Sequence, residues 1–415
     1  MIINLETLLS YSDAIGLPHE ISIPVIRDFL RFRKTNGDEW VVQRFKSIKT
    51  DFILLKSGLS LVSEWISKKD NRFRGPIGGL QSWCERKKKW KEGINLLQIY
   101  STLISPAVTP TQEKKFVSSV CKENHSCNIL KYKPIIGEGL DRWFGKQVFH
   151  LPKTTPLVYR PFSPSKKEPA ADFRSYDEGT NTLYCAQSYL DHTVAGLNFQ
   201  HKYKGIFKDT MKYTYRTPTD PKRVHGSIVG TPYSQYFPDT IGKIGLIQEP
   251  GYKLRAVANP GRVFQQALKP LGDKLFSLLR DLPWDCTFNQ SAPYYHIQQH
   301  LGEGKYCYAI DLSNATDNFP LSLQDYVLDT LFPDNLYNYL FHDLSRSNWF
   351  SRFKSKSIIS WKTGQPLGLY PSFASFSLTH GFLLFSLNNY RHDNNFFVLG
   401  DDVVILDDGL YHLYK

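Results

Sequence analysis

Apolar positions recur at helix-turn spacing through the first hundred residues, in Pro24-Val25-Ile26-Arg27-Asp28-Phe29-Leu30 and again from Ile53-Leu54-Leu55 to Trp65-Ile66. That period predicts a mostly helical N-terminal region. Residues 262 to 280 carry an amphipathic helix pattern, which Pro270 is expected to break because proline has no N–H and its ring clashes with the preceding turn. Further on the period changes. Tyr306 to Ile310 is a short apolar run ending in Asp311 and reads as a strand, and Tyr370 to Phe385 reads as a buried helix. Phe397-Val398-Leu399, a Gly400-Asp401-Asp402 break and Val403-Val404-Ile405 predict a tight β-hairpin with two carboxylates at its turn. The proline clusters Phe162 to Pro169 and Thr217 to Arg223 predict loops.

Two adjacent acids at a turn are easily solvated, and a Gly-Asp-Asp tripeptide alone is an ordinary exposed turn. Asp311 changes that reading. A carboxylate ending one strand can meet the hairpin carboxylates on a neighbouring strand, where mutual repulsion calls for cations. Such a set can hold two divalent ions about 3.5–4 Å apart, as phosphoryl-transfer sites do. Oxygen-only ligands favour Mg²⁺, with Mn²⁺ as the alternative, over zinc.

The 415 residues are enough for two or three domains or one multi-lobed enzyme, and 41% hydrophobic with 14% aromatic residues exclude a compositionally disordered chain. A net charge of +12 favours a polyanionic partner. Basic residues are dense from Lys68 to Lys91 and are interleaved with Phe73, Trp83 and Trp90, a mixture that suits either an RNA groove with stacking rings or a solvated helix face. The six cysteines are sparse and irregular, which fits a reduced intracellular setting, cytoplasm or mitochondrion. Cys121, His125 and Cys127 make half a zinc pattern without a second half, so ordinary thiols are expected. No apolar run is long enough to span a bilayer.

Asp311-Leu312-Ser313-Asn314-Ala315-Thr316-Asp317, then Gly364-Gln365-Pro366-Leu367-Gly368, then Gly400-Asp401-Asp402 stand in the order of motifs A, B and C of RNA-dependent RNA polymerases. The chain resembles in particular those of mitovirus, narnavirus and ourmiavirus-like positive-strand RNA viruses. Glu249-Pro250-Gly251-Tyr252-Lys253-Leu254-Arg255 resembles motif F of that group, and Leu268-Lys269-Pro270-Leu271 and Asp285-Cys286-Thr287-Phe288-Asn289-Gln290 also match. The resemblance covers roughly residues 240 to 407.

It implies an α+β right-hand polymerase with largely helical fingers and an antiparallel-sheet palm. Residues 1–150 would be an N-terminal mostly helical region, 151–300 the fingers with motif F, and 301–415 the palm. Its implied reaction is NTP addition to an RNA 3′ end on an RNA template, with RNA and NTPs as partners. Asp311 and Asp401 would hold the metals and Asp402 would support them. Lys253 and Arg255, two apart on an extended segment, share a face and could hold a triphosphate. Asp317 would sense the ribose 2′-hydroxyl, Gly364 and Gln365 would open the motif B loop, and Ser372 would bond the ribose or Asp317. Pro371 departs from the serine more usual there.

Two other readings are an inactive or divided RNA-binding fragment and a reverse transcriptase, against which Gly-Asp-Asp and Asp317 argue. In the family, a motif D lysine, a motif E hairpin and a helical thumb follow motif C. Lys415 comes too early to be that lysine. The expectation is a palm truncated in motif D, its thumb missing and supplied by further sequence or by a second polypeptide.

Overall fold

The structure is a computed structural model that describes residues 4–63, 68–69, 72–122, 131–154, 176–177, 182–183, 194–210 and 240–415. The expected loops at 162–169 and 217–223, together with His125, Cys127 and Cys185, lie outside the described residues. The chain is α+β, with many helices and small sheets, and divides into two compact units. One comprises residues 1–112 and 246–255, the other 113–245 and 256–415.

The first unit is helical. Helices Leu5–Ala14, His19–Asn36, Asp38–Lys56, Gly75–Lys87 and Trp90–Leu97 turn their apolar faces onto one core that includes Val25, Phe29, Val41, Phe45, Phe52 and Leu80. The rings of Phe29 and Phe45 meet edge to face at 5.0 Å. Asp51 is fully buried, and its carboxylate accepts the backbone N–H groups of Val62 and Ser63, so the chain after the third helix is fastened by bonds to a buried acid. The rings in the basic segment belong to this core. Phe73 and Trp83 are buried and Trp90 packs against Phe52, whereas Arg72, Arg74 and Arg86 to Lys89 are exposed. The segment is therefore a solvated basic face with its aromatics turned inward, and the stacking alternative fails because those faces are already covered.

In the second unit the strands Tyr308–Asp311 (β1), Phe396–Leu399 (β2) and Asp402–Ile405 (β3) form an antiparallel sheet in the order β2-β3-β1. Trp284 to Cys286 extends it beyond β2, with Cys286 N–H donating to the Val398 carbonyl and Val398 N–H to that of Trp284, both at 2.8 Å. Helix Ser372–Leu387 is apolar all round and almost wholly buried, as expected of a helix with neighbours on every side. Helices Tyr132–Phe144 and Arg262–Arg280 pack on it, and an aromatic cluster of Trp143, Trp284, Phe382 and Phe385 fills the space between.

The expected break at Pro270 is absent, since Arg262–Arg280 is one helix. Proline leaves the carbonyl four residues back, that of Gln266, without its helical donor. The Thr154 hydroxyl donates to that carbonyl at 3.0 Å. Long-range bonding thus supplies what the local sequence removes. Among the described residues Cys84, Cys121, Cys286 and Cys307 are free thiols, and no helix is long and apolar enough to cross a membrane.

Thr154→Val keeps the shape of this side chain and removes its donor, so it should cost about 1–2 kcal/mol in urea unfolding. In a Pro270→Ala background, where residue 270 regains an N–H, the loss should be visibly smaller. Equal losses in both backgrounds would show that Thr154 does not compensate the proline.

Candidate active site

Register sets Asp402 beside Asp311, and the turn before it carries Asp401. In the antiparallel ladder Asp402 is paired directly with Asp311, followed by Val403 with Ile310, Val404 with Ala309 and Ile405 with Tyr308. Directly paired residues project to the same face, with Cβ atoms about 4.5–5.5 Å apart. The face bearing Val403 and Ile405 is buried, and Asp311, Asp401 and Asp402 are exposed at the opposite side and end of the sheet. Asp401 occupies the turn between β2 and β3, where its carbonyl accepts the Leu312 N–H at 3.3 Å. Gly400 makes that turn possible: its φ is +60°, and a Cβ there would lie 2.7 Å from the Phe373 ring.

Asp317 lies on the short helix Ala315–Asn318, one turn beyond the end of β1. Its carboxylate accepts the Trp361 indole N–H at 2.8 Å, and the Ser119 hydroxyl stands 3.5 Å from its other oxygen. Burial pushes this acid up to about 6 despite those two donors.

Segment 364–368 is fitted to the same place by backbone. Gly364 N–H donates to the Asp317 carbonyl and Gln365 N–H to that of Thr316, at 2.9 and 2.8 Å. A Cβ on Gly364 would sit 2.0 Å from the Thr316 carbonyl oxygen, so no other residue fits. At the far end Gly368 has φ +125°, and a Cβ there would approach the Ala258 carbonyl oxygen to 2.1 Å. Gln265 bridges the exit, donating to the Gly368 carbonyl and accepting the Tyr370 N–H.

Gln365 is wholly buried, and its amide nitrogen donates to the Gln324 side chain and to the Ser372 carbonyl, both at 2.8 Å. Ser372 begins the long helix after Pro371, and its buried hydroxyl has no hydrogen-bond partner. The structure thus brings Asp317, Gly364 and Gln365 together through backbone, and does not join Ser372 to Asp317.

Lys253 and Arg255 begin the strand Lys253–Pro260 and belong to the first unit with Glu249. Both are exposed and separated by the half-buried Leu254, the alternation expected of an extended segment. Arg255 grips Glu249 through two nitrogens at 2.7 and 3.2 Å, which holds that carboxyl below its usual range. The preceding turn is anchored in the same unit: Lys46 donates to the Gly251 carbonyl, Gly251 N–H to the Leu103 carbonyl, and the Tyr252 hydroxyl to Asp38.

Sequence reasoning missed the residues that support these positions. Trp361 and Ser119 reach Asp317 from distant segments. The Arg346 guanidinium donates to the carbonyls of Trp361, Thr363 and Gly364 at 3.0–3.1 Å and pins the segment leading into the loop. A helix-terminal arginine and a lone tryptophan carry no pattern that would have singled them out. His380, buried under the Gly400-Asp401 turn, was missed for the same reason.

Comparison with known proteins covers the sheet and its loops. A 178-residue stretch is 33% identical to the RNA-directed RNA polymerase of Cryphonectria parasitica mitovirus 1, covering 40% of this chain and 21% of that protein. The chain therefore spans about a fifth of that relative's length. Two uncharacterized mitochondrial proteins of Arabidopsis thaliana are 32% identical over 145 residues and 30% identical over 151; the matches cover 33% and 34% of this chain, and 69% and 58% of those proteins. The crystal structure of the RNA-dependent RNA polymerase of a human picorbirnavirus aligns with a TM-score of 0.43 at 14% identity, covering 81% of this chain and 64% of that one. The family model for the mitovirus RNA-dependent RNA polymerase matches residues 172–415, a span that takes in β1, the glycine-bracketed loop and the acidic hairpin, and the chain belongs to that family.

Proposed function

We propose that this chain carries the nucleotidyl-transfer site of an RNA-dependent RNA polymerase, in which a product 3′-hydroxyl attacks the α-phosphate of an NTP and pyrophosphate leaves. The observation that carries the reading is the register that sets Asp402 opposite Asp311 with Asp401 on the adjoining turn. Like charges directly opposed on a sheet destabilise it, so a carboxylate pair there is best explained by a cation. Among the described residues no three His, Cys, Asp or Glu side chains converge to cage an ion, so the reading rests on the Asp402–Asp311 pair and not on a closed cage. The ion assigned to it is Mg²⁺, or Mn²⁺ in its place. Mg²⁺ is held by one or two carboxylates and takes its remaining ligands from water and substrate phosphates. Asp311 and Asp401 would hold it, and Asp402 would support them. When bound, the ions offset triphosphate charge and lower the pKa of the attacking hydroxyl.

Lys253 and Arg255, exposed on the first unit, are the cations assigned to a triphosphate. Asp317, a carboxylate above about pH 6, accepts from the ribose 2′-hydroxyl, the group that separates RNA from DNA precursors. Gly364, Gln365 and Ser372 shape the loop and helix start beside it. In this reading residues 301–415 form a palm of right-hand type, 151–300 the fingers and 1–150 a mostly helical N-terminal region. RNA template and product, together with NTPs, are the partners. The setting is intracellular, and the mitochondrial names of two relatives favour the mitochondrion.

Single-nucleotide incorporation on a primed RNA template in Mg²⁺ tests the assignment. In a complete polymerase that carries this sequence, Asp311→Ala or Asp401→Ala should lower incorporation by at least about 10³-fold, while filter binding of RNA stays near the native value. Substantial incorporation by either variant would remove the metal assignment. UTP should be used in preference to dTTP, and equal use of the two would favour reverse transcription.

Asp317 makes a prediction with pH. Its folded-state pKa is raised, so protonation comes early, and the preference for NTP over 2′-deoxy-NTP should fall as pH drops through about 6. The same shift means that the native fold loses stability as pH rises from about 4 to 6, where the folded state still holds the proton that the unfolded chain releases. Asp317→Asn keeps an acceptor for Trp361 and should therefore be more stable than native at pH 7.5, by at most about 3 kcal/mol, and no more stable below pH 4. Thermal unfolding at both pH values checks this; an advantage that does not change with pH would contradict the buried-acid account.

A further inference from the structure

His380 lies in the middle of helix Ser372–Leu387 and is wholly buried. Both of its ring nitrogens are nevertheless used. Nδ1 is 2.8 Å from the Gly400 carbonyl oxygen, and Nε2 is 2.6 Å from the Tyr414 hydroxyl. A carbonyl can only accept, so Nδ1 must carry the proton and Nε2 must accept from the tyrosine. That order fixes one neutral tautomer. The ring is also wedged among Phe319, Phe376 and Tyr414, with centroids 5.4–5.8 Å away, and Phe319 follows Asp317 by two residues.

One imidazole therefore touches three things: the segment that follows Asp317, the turn that presents Asp401, and the helix Asp408–Tyr414 beyond the hairpin. The Gly400 peptide needs such a hold. With φ at +60° and the Phe373 ring closing one side, its carbonyl points into the protein, where His380 is its donor. Losing that donor would leave a buried acceptor unpaired next to the residue that must present a carboxylate.

We propose that His380 is a positioning residue that locks the Gly400-Asp401 turn, and that Tyr414 holds it in the tautomer able to do so. The proposal rests on the metal reading of Asp311 and Asp401. Supporting bonds of this kind typically govern metal affinity by about 10–100-fold.

The test is Mn²⁺ binding to the full chain, followed by electron paramagnetic resonance, with thermal unfolding run on each variant. His380→Phe should fold and bind Mn²⁺ at least about tenfold more weakly. His380→Asn, whose amide nitrogen falls near Nδ1, should stay within about threefold of native, and Tyr414→Phe should lie between the two. Native affinity in a folded His380→Phe protein overturns the proposal, as does equal weakening by Phe and Asn, which would indicate packing alone. Asp311→Asn and Asp401→Asn separate the two levels of argument: if neither weakens Mn²⁺ binding, or if the native chain binds none, the metal reading fails by itself. The turn lock is then decided by ¹⁵N resonances of the histidine ring, which need no metal. A protonated Nδ1 that loses its single-tautomer signature in Tyr414→Phe supports the lock, and a protonated Nε2 in the native chain overturns it.

Discussion

The pairing of Asp402 with Asp311 across the ladder, with Asp401 on the turn beside them, is the constraint on which the charged end of the sheet depends. Like charges directly opposed on a sheet destabilise it. The sheet tolerates them because only their own side is wet: Val403 and Ile405 anchor the same strand in apolar packing on the opposite side. Burial of one face supplies the stability that the charged end removes. The alternation that makes this possible is a property of strands, and a slip of one residue would bury the Asp402 carboxylate and expose Val403.

Around this end the chain relies on backbone contact more than on side-chain bonding. Gly364 and Gly400 both lie where a methyl group would strike a neighbour, one against the Thr316 carbonyl and the other against Phe373. The long helix Ser372–Leu387 then serves as a common post, buried on every side, to which sheet, turn and loop are referred. Rigidity there is cheap to maintain. A helix with no solvent-facing side has few alternative packings, since each apolar side chain is matched on every side.

The hairpin, the strand ending at Asp311 and the helix through Pro24 to Leu30 were legible because each is a local period, two or 3.6 residues, bounded by turn residues. The helical spacing read from Ile53 towards Ile66 was not borne out, since that helix ends at Lys56 and residues 57–63 are not helical. Motif order then made the acids and the glycine-bracketed loop readable from about residue 240 onward. What escaped was long-range. Nothing near Trp361 signals that its indole will reach Asp317, and nothing near Arg346 signals three carbonyls waiting at 361, 363 and 364. Pro270 was misread for the same reason, because the donor that repairs its helix comes from Thr154, more than a hundred residues earlier. The rings at Phe73, Trp83 and Trp90 were ambiguous until their burial was known, since a charged segment with aromatics has the same composition whether its rings face RNA or a core.

The meeting of Gly364 with the Thr316 and Asp317 carbonyls bears on how such chains can be recombined. The two segments are more than forty residues apart in sequence, yet they share a surface with no room for a single added carbon. A chimera that crosses over between them keeps the fit only if both parents place these two backbones alike. Segments 313–318 and 361–368, with Arg346 bonded to the second, are in that sense one block, and a chimera that takes the whole of it from one parent carries the fit along intact.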